Sequence, residues 1–167
     1  METGLVRPTL NHINIDKTAK CFVNLVKEYR NWFKKGDDLE IEQSDLEREM
    51  IECITSYNVS NGFALAKFIE DETGVEGDSE LVNILDGVFF VKRELEKDLI
   101  CKWVKDNNLS ISEDVIGRKV FAKQSFRSYP GHYITGIYND KYQVTIQKDK
   151  DSKGGFVIDY ENVKLEV

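Results

Sequence analysis

Three cations and three aromatic rings lie close together near the C-terminus: Lys119, Lys123 and Arg127, with Phe126, Tyr129 and Tyr133. Cations spaced to meet phosphates, interleaved with rings on which bases stack, are what single-stranded nucleic-acid binding requires. Three phosphate contacts alone would give weak affinity with a strong salt dependence. The same lysines on a solvated strand edge would discourage edge-to-edge aggregation. Residue types alone do not separate these two roles.

A second constellation is acidic. Asp37, Asp38, Glu40, Glu42, Asp45, Glu47, Glu49 and Glu52 form a dense carboxylate series, followed by Glu70, Asp71, Glu72, Glu76, Asp78 and Glu80. Such a surface keeps a protein soluble, and it also suits a basic groove on a protein partner. Asp37, Asp38, Glu40, Glu42, Asp45 and Glu49 are the candidate contacts for that partner.

Catalytic and metal-binding patterns are missing from the sequence. The two histidines, His12 and His132, lie far apart with no cysteine or carboxylate pair at ligand spacing. Cys21, Cys53 and Cys101 match no zinc motif and fall in helical patterns, which reads as free thiols in a reducing cytosol. No Walker loop, GxGxxG or HExxH occurs. The expectation is a cytoplasmic protein that is not an enzyme, with no catalytic residues, no metal and no cofactor. No apolar run reaches the roughly 18 residues of a membrane span, and the N-terminus does not read as a signal peptide.

The elements that must position these groups are of two kinds. Up to residue 108 the apolar residues recur at helical spacing. A first helix is expected from an Asp16 cap to about Lys35, burying Phe22, Val23, Val26, Tyr29 and Phe33, with Gly36 beyond its end. Ser44-Asp45-Leu46-Glu47 has the form of a capping box and opens a second helix to about Tyr57. A third runs through Phe63, Leu65, Ala66 and Ile69 to Gly74. A fourth, capped by Asp78 or Ser79, extends to about Asn107, with a bend or break allowed at Asp86-Gly87. Trp32 lies off the main stripe of the first helix, where either a partner contact or a core facing two sides would account for it.

After a polar hinge at 109–114 the period changes to two. Strands are expected at Lys119–Lys123, His132–Tyr138, Tyr142–Gln147, Phe156–Tyr160 and Val163–Val167, with a long loop from Gln124 to Gly131. Charge divides the same way. Residues 1–108 carry 14 Lys/Arg against 22 Asp/Glu, whereas residues 109–167 carry nine against eight.

The phrase GRKVFAK…GHYITGIYNDKYQVTIQKD…GGFVIDYENVKLEV, within residues 115–167, resembles the Tudor/KOW end of the SH3-like superfold. There a strand opening G-x-x-V leads to a glycine-containing second strand, and an acidic or asparagine link precedes the last. The resemblance implies a five-stranded antiparallel β-barrel that binds proline-rich or methylated peptides, RNA, DNA or a ribosomal surface. A methyl-lysine cage, if present, would draw on Phe126, Tyr129, Tyr133 and Tyr138. Fold does not choose among these ligands. The expected architecture is α+β: a helical domain of about four helices over 1–108, then the SH3-like barrel over 115–167. The expected function is that of an adaptor, whose barrel engages a protein or nucleic acid and whose helices engage a protein partner. The alternative is an acidic inhibitor of a nucleic-acid enzyme, of the kind encoded by phages and mobile elements, acting by nucleic-acid mimicry.

Overall fold

The computed structural model describes residues 6–11, 14–34, 42–55, 61–151 and 154–166. Four helices, α1 (Lys20–Phe33), α2 (Gln43–Thr55), α3 (Gly62–Thr73) and α4 (Ser79–Asp106), precede five strands, β1 (Lys119–Gln124), β2 (Arg127–Tyr138), β3 (Gln143–Gln147), β4 (Phe156–Asp159) and β5 (Val163–Leu165). The class is α+β. The chain forms two compact units, Met1–Leu99 and Ile100–Val167.

In the first unit the helices bury one apolar core. Phe22, Leu25, Val26, Tyr29 and Phe33 supply it from α1. Val23, expected in that face, is 48% exposed, and Leu25 takes its place. Asp16 does not cap α1. Its carboxylate accepts the Thr18 amide and hydroxyl in a tight turn, and the helix begins after Ala19. The capping box at Ser44 is also absent, because α2 already begins at Gln43 and the Glu42 carbonyl takes the first amides. Glu47 instead accepts from Gln43 and pairs with Lys17. The expected ends of both helices near Lys35, Gly36 and Tyr57 lie outside the described residues.

Helix α3 is closed at both ends by local chemistry. The Asn61 side chain accepts the Ala64 amide, and Gly74 adopts a left-handed conformation while its amide bonds the Glu70 carbonyl. Its outer position Phe63, expected in the core, is 68% exposed. Helix α4 runs unbroken through Asp86-Gly87. Asp78 caps it by accepting the Leu81 amide, and the same carboxylate accepts the Trp32 indole N–H at 2.9 Å. Trp32 is therefore a half-buried tie between α1 and the start of α4.

The second unit is a five-stranded antiparallel sheet in the order β4-β3-β2-β1-β5. Val120, Ala122, Ile134, Val144, Ile146 and Ile158 fill its core, joined by Ile111 and Val115 from the segment before β1. That segment, read as a hinge, is pinned to the sheet: the Asn139 side chain accepts the Ile111 amide at 2.7 Å. The hydrogen-bonded order leaves β4 and β5 as edges, so the expected barrel is not closed by its ladders. Two register shifts, at Val120/Ala122 and at Ile134/Gly136, fall in the long strand β2 and its partners; such bulges increase local twist and bend. A single 3-10 turn, Tyr160–Asn162, links β4 to β5 and holds Glu161 and Asn162, the acidic and asparagine link that the resemblance implies.

The long loop expected at Gln124–Gly131 is not a loop. Strand β2 begins at Arg127, and a two-residue turn at Ser125 and Phe126 closes a hairpin in which Gln124 faces Arg127 and Lys123 faces Ser128. Pro130 and Gly131 together oppose Phe121, and Gly131 has φ +67°. Pro-Gly thus marks a bulge inside a strand, where its turn chemistry reads as a loop.

Candidate functional site

The pleat decides which candidate residues share a surface. Val120 and Ala122 are fully buried, so Lys119, Phe121 and Lys123 project from the opposite face of β1. Cross-strand partners share a face. Tyr133 lies opposite Lys119 and Lys164 lies opposite Phe121. The Lys150 ammonium sits 5.2 Å from the centre of the Tyr133 ring, within cation–π range. This outer face therefore gathers Lys119, Lys123, Lys150 and Lys164 around two rings, Phe121 and Tyr133. Glu166 is its counter-charge: one carboxylate oxygen lies 3.7 Å from Lys119 and the other accepts the Gly131 amide at 3.0 Å. Lys123 and Lys164 have no ion-pair partner among the described residues.

The remaining members of the sequence-derived set lie elsewhere. Tyr129 pairs with Ala122 on the core-facing side, where its ring lies 4.9 Å from Phe156 and 5.5 Å from His132. His132, read as solvent-facing, is half-buried there. Arg127 is exposed on the same side as Tyr129, and Phe126 is fully exposed at the hairpin turn. The four rings named for a methyl-lysine cage do not converge. Tyr133 and Tyr129 point to opposite faces, and Tyr138 pairs with Gln143 at the far end of β2.

Sequence reasoning missed Phe121, Lys150 and Lys164. Alternation outward from Val120 is a sufficient signal for Phe121. For Lys164 there is none, because its place depends on β5 pairing with β1 across the whole sheet.

The acidic candidates do not act as one group. Asp37, Asp38 and Glu40 lie outside the described residues. Glu42 is exposed at the start of α2, and Asp45 pairs with Arg48 at 3.0 Å. Glu49 is a half-buried structural carboxylate that accepts the Tyr29 hydroxyl at 2.8 Å. Burial pushes the Glu49 carboxyl above its usual range, and the Tyr29 hydrogen bond offsets only part of that. Burial likewise raises Tyr29, and pushes the nearby Cys53 thiol up to about 12. Cys53 is therefore a core thiol and a poor nucleophile.

Among the described residues no three His, Cys, Asp or Glu side chains converge to hold a metal ion, and no helix is long and apolar enough to cross a membrane. No protein-family model, curated protein or solved structure matches the chain. The functional reading therefore rests on the geometry of the chain itself.

Proposed function

We propose that this chain is a non-catalytic binding protein whose C-terminal unit engages single-stranded nucleic acid, while its helical unit engages a protein partner. One observation carries the reading: four lysines surround Phe121 and Tyr133 on the outer face of β1, β2 and β5. Ammonium groups suit a phosphate backbone, and the exposed Phe121 ring offers a stacking face. The strand order, the bulged second strand and the 3-10 link before β5 favour the SH3-like reading of the unit, in which binding rather than chemistry is the common role. For the helical unit, support comes from Phe63 and Phe90, large rings left exposed on α3 and α4.

Fluorescence anisotropy of labelled single-stranded DNA and RNA with the full chain tests the proposal. Lys123→Glu with Lys164→Glu is expected to weaken binding at least about tenfold, because each lost phosphate contact also becomes a repulsion. Lys97→Glu on α4 should leave binding unchanged. Absence of binding by the unaltered chain at low salt, or equal binding by the double variant, would sink the nucleic-acid reading and leave a protein ligand for this face.

A further inference from the structure

Helix α1 carries a feature at odds with the charge of its unit. Residues 1–99 hold 12 Lys/Arg against 21 Asp/Glu, yet Lys20, Lys27, Arg30 and Lys34 follow one another at seven-, three- and four-residue steps along one side of α1. Such steps place them on a single helix face. Lys17 continues the row just before the helix.

This row borders a groove of about 360 Å³ between α1 and the start of α2. Among the described residues Lys17, Lys27, Arg30 and Lys34 line it, and Glu47 is the one carboxylate. Phe22, Val23 and Val26 supply an apolar wall, with Val23 left half-exposed in the middle. The volume is in the range of small-molecule sites, which are typically about 300–1,000 Å³ and combine apolar walls with a few placed polar groups.

Arg30 is the polar centre. One terminal nitrogen donates to the Gln43 side-chain oxygen at 3.0 Å, which fixes the guanidinium against α2. Its Nε is buried and has no hydrogen-bond partner among the described residues. Buried donors are normally satisfied, and the guanidinium's outer N–H groups are the ones a carboxylate or phosphate in the groove would meet. Lys27 and Lys34, one turn to either side, make no ion pair among the described residues.

We propose that the α1–α2 groove binds a small organic phosphomonoester, its phosphate held by Lys27, Arg30 and Lys34 and its apolar body laid against Phe22, Val23 and Val26. The site is separate from the sheet face and does not depend on the role assigned to it. Phosphate is favoured over a single carboxylate because Lys27, Arg30 and Lys34 all line the groove, where one carboxylate would need only Arg30.

The test uses the ¹⁵N-labelled full chain titrated with phenyl phosphate and, separately, with inorganic phosphate, followed by amide chemical shifts. Phenyl phosphate is expected to shift residues of α1 and the start of α2 saturably, and to bind about tenfold tighter than inorganic phosphate because its ring is buried. Lys34→Gln, an exposed position, should weaken it several-fold, and Arg30→Gln more strongly. Far-UV circular dichroism of both variants should match that of the unaltered chain. If Arg30→Gln does not fold, Lys27→Gln with Lys34→Gln supplies the same measurement. Unsaturated shifts up to about 10 mM, equal affinity for the two phosphates, or shifts confined to residues 100–167 would each overturn the proposal. Lys123→Glu with Lys164→Glu should leave this titration unchanged, so failure here and failure of the nucleic-acid reading are separately visible.

Discussion

Tyr29 and Glu49 show how a half-buried carboxylate can be mistaken for surface. On α2, Glu49 belongs by sequence to a solvated acidic row, but helical spacing also places it beside Leu46 and Cys53, whose side chains enter the core. The buried Tyr29 ring brings its hydroxyl to the carboxylate. Tyr29→Phe removes the donor and leaves a half-buried charge, at an expected cost of about 1–3 kcal/mol in chemical denaturation. The pH dependence follows from the raised carboxyl. The folded chain holds this proton more tightly than the unfolded one, so the contribution to stability is complete below the usual carboxylate value of about 4.3. It is lost as pH rises through the higher folded value. Glu49→Gln should therefore raise the melting temperature, relative to the unaltered chain, more at pH 7 than at pH 4.5. An identical difference at both pH values would show that the carboxyl is not held protonated by burial.

At the scale of elements, close approach explains what propensity leaves open. A glycine inside α4 weakens a helix by about 1 kcal/mol against alanine, yet α4 is continuous at Gly87 because its face packs on Leu25 and tertiary burial outweighs propensity. Just before it in the chain, Asp86 accepts the amide of Gly62, the first residue of α3. A Cβ on Gly62 would collide with the Val82 carbonyl and the Asp86 amide, both backbone. Gly62→Ala should thus destabilise the helical unit by about 1–3 kcal/mol, read as a lower thermal midpoint, whereas Gly74→Asn should be nearly neutral because asparagine tolerates the left-handed cap. Comparable losses for the two would refute the close-packing argument. The same reasoning covers the β1–β2 hairpin. Pro130-Gly131 has the chemistry of a turn, and only pairing with β1 reveals it as a bulge that re-aims the strand.

Across the whole molecule the two units differ in charge. Residues 100–167 carry 11 Lys/Arg against nine Asp/Glu, in contrast to the acidic first unit. Four lysines on the outer face would neutralise at most about four phosphates, so the logarithm of affinity should fall against the logarithm of salt with a slope of about −2 to −3 for single strands. A slope near zero in the anisotropy titration would mean that the contacts are not phosphate contacts.

The class, the order of four helices and five strands and the stop of α3 at Gly74 were legible in the sequence, because each follows from local periodicity or local backbone chemistry. The sequence also named Lys119, Lys123 and Tyr133, which the pleat places on one face. It could not separate Tyr129 and Arg127 from them, because a bulge between Tyr129 and His132 changes the count on which alternation depends. Lys164 and Lys150 join that face only through pairing and packing between distant parts of the chain. The groove beside α1 was likewise a matter of tertiary structure: its cations and its apolar wall both lie along α1, but the groove is closed only where Gln43 and Glu47 of α2 pack beside them. Local rules act over a few residues, whereas a binding surface is assembled from strands and helices far apart in sequence, and tertiary structure alone decides which of them meet.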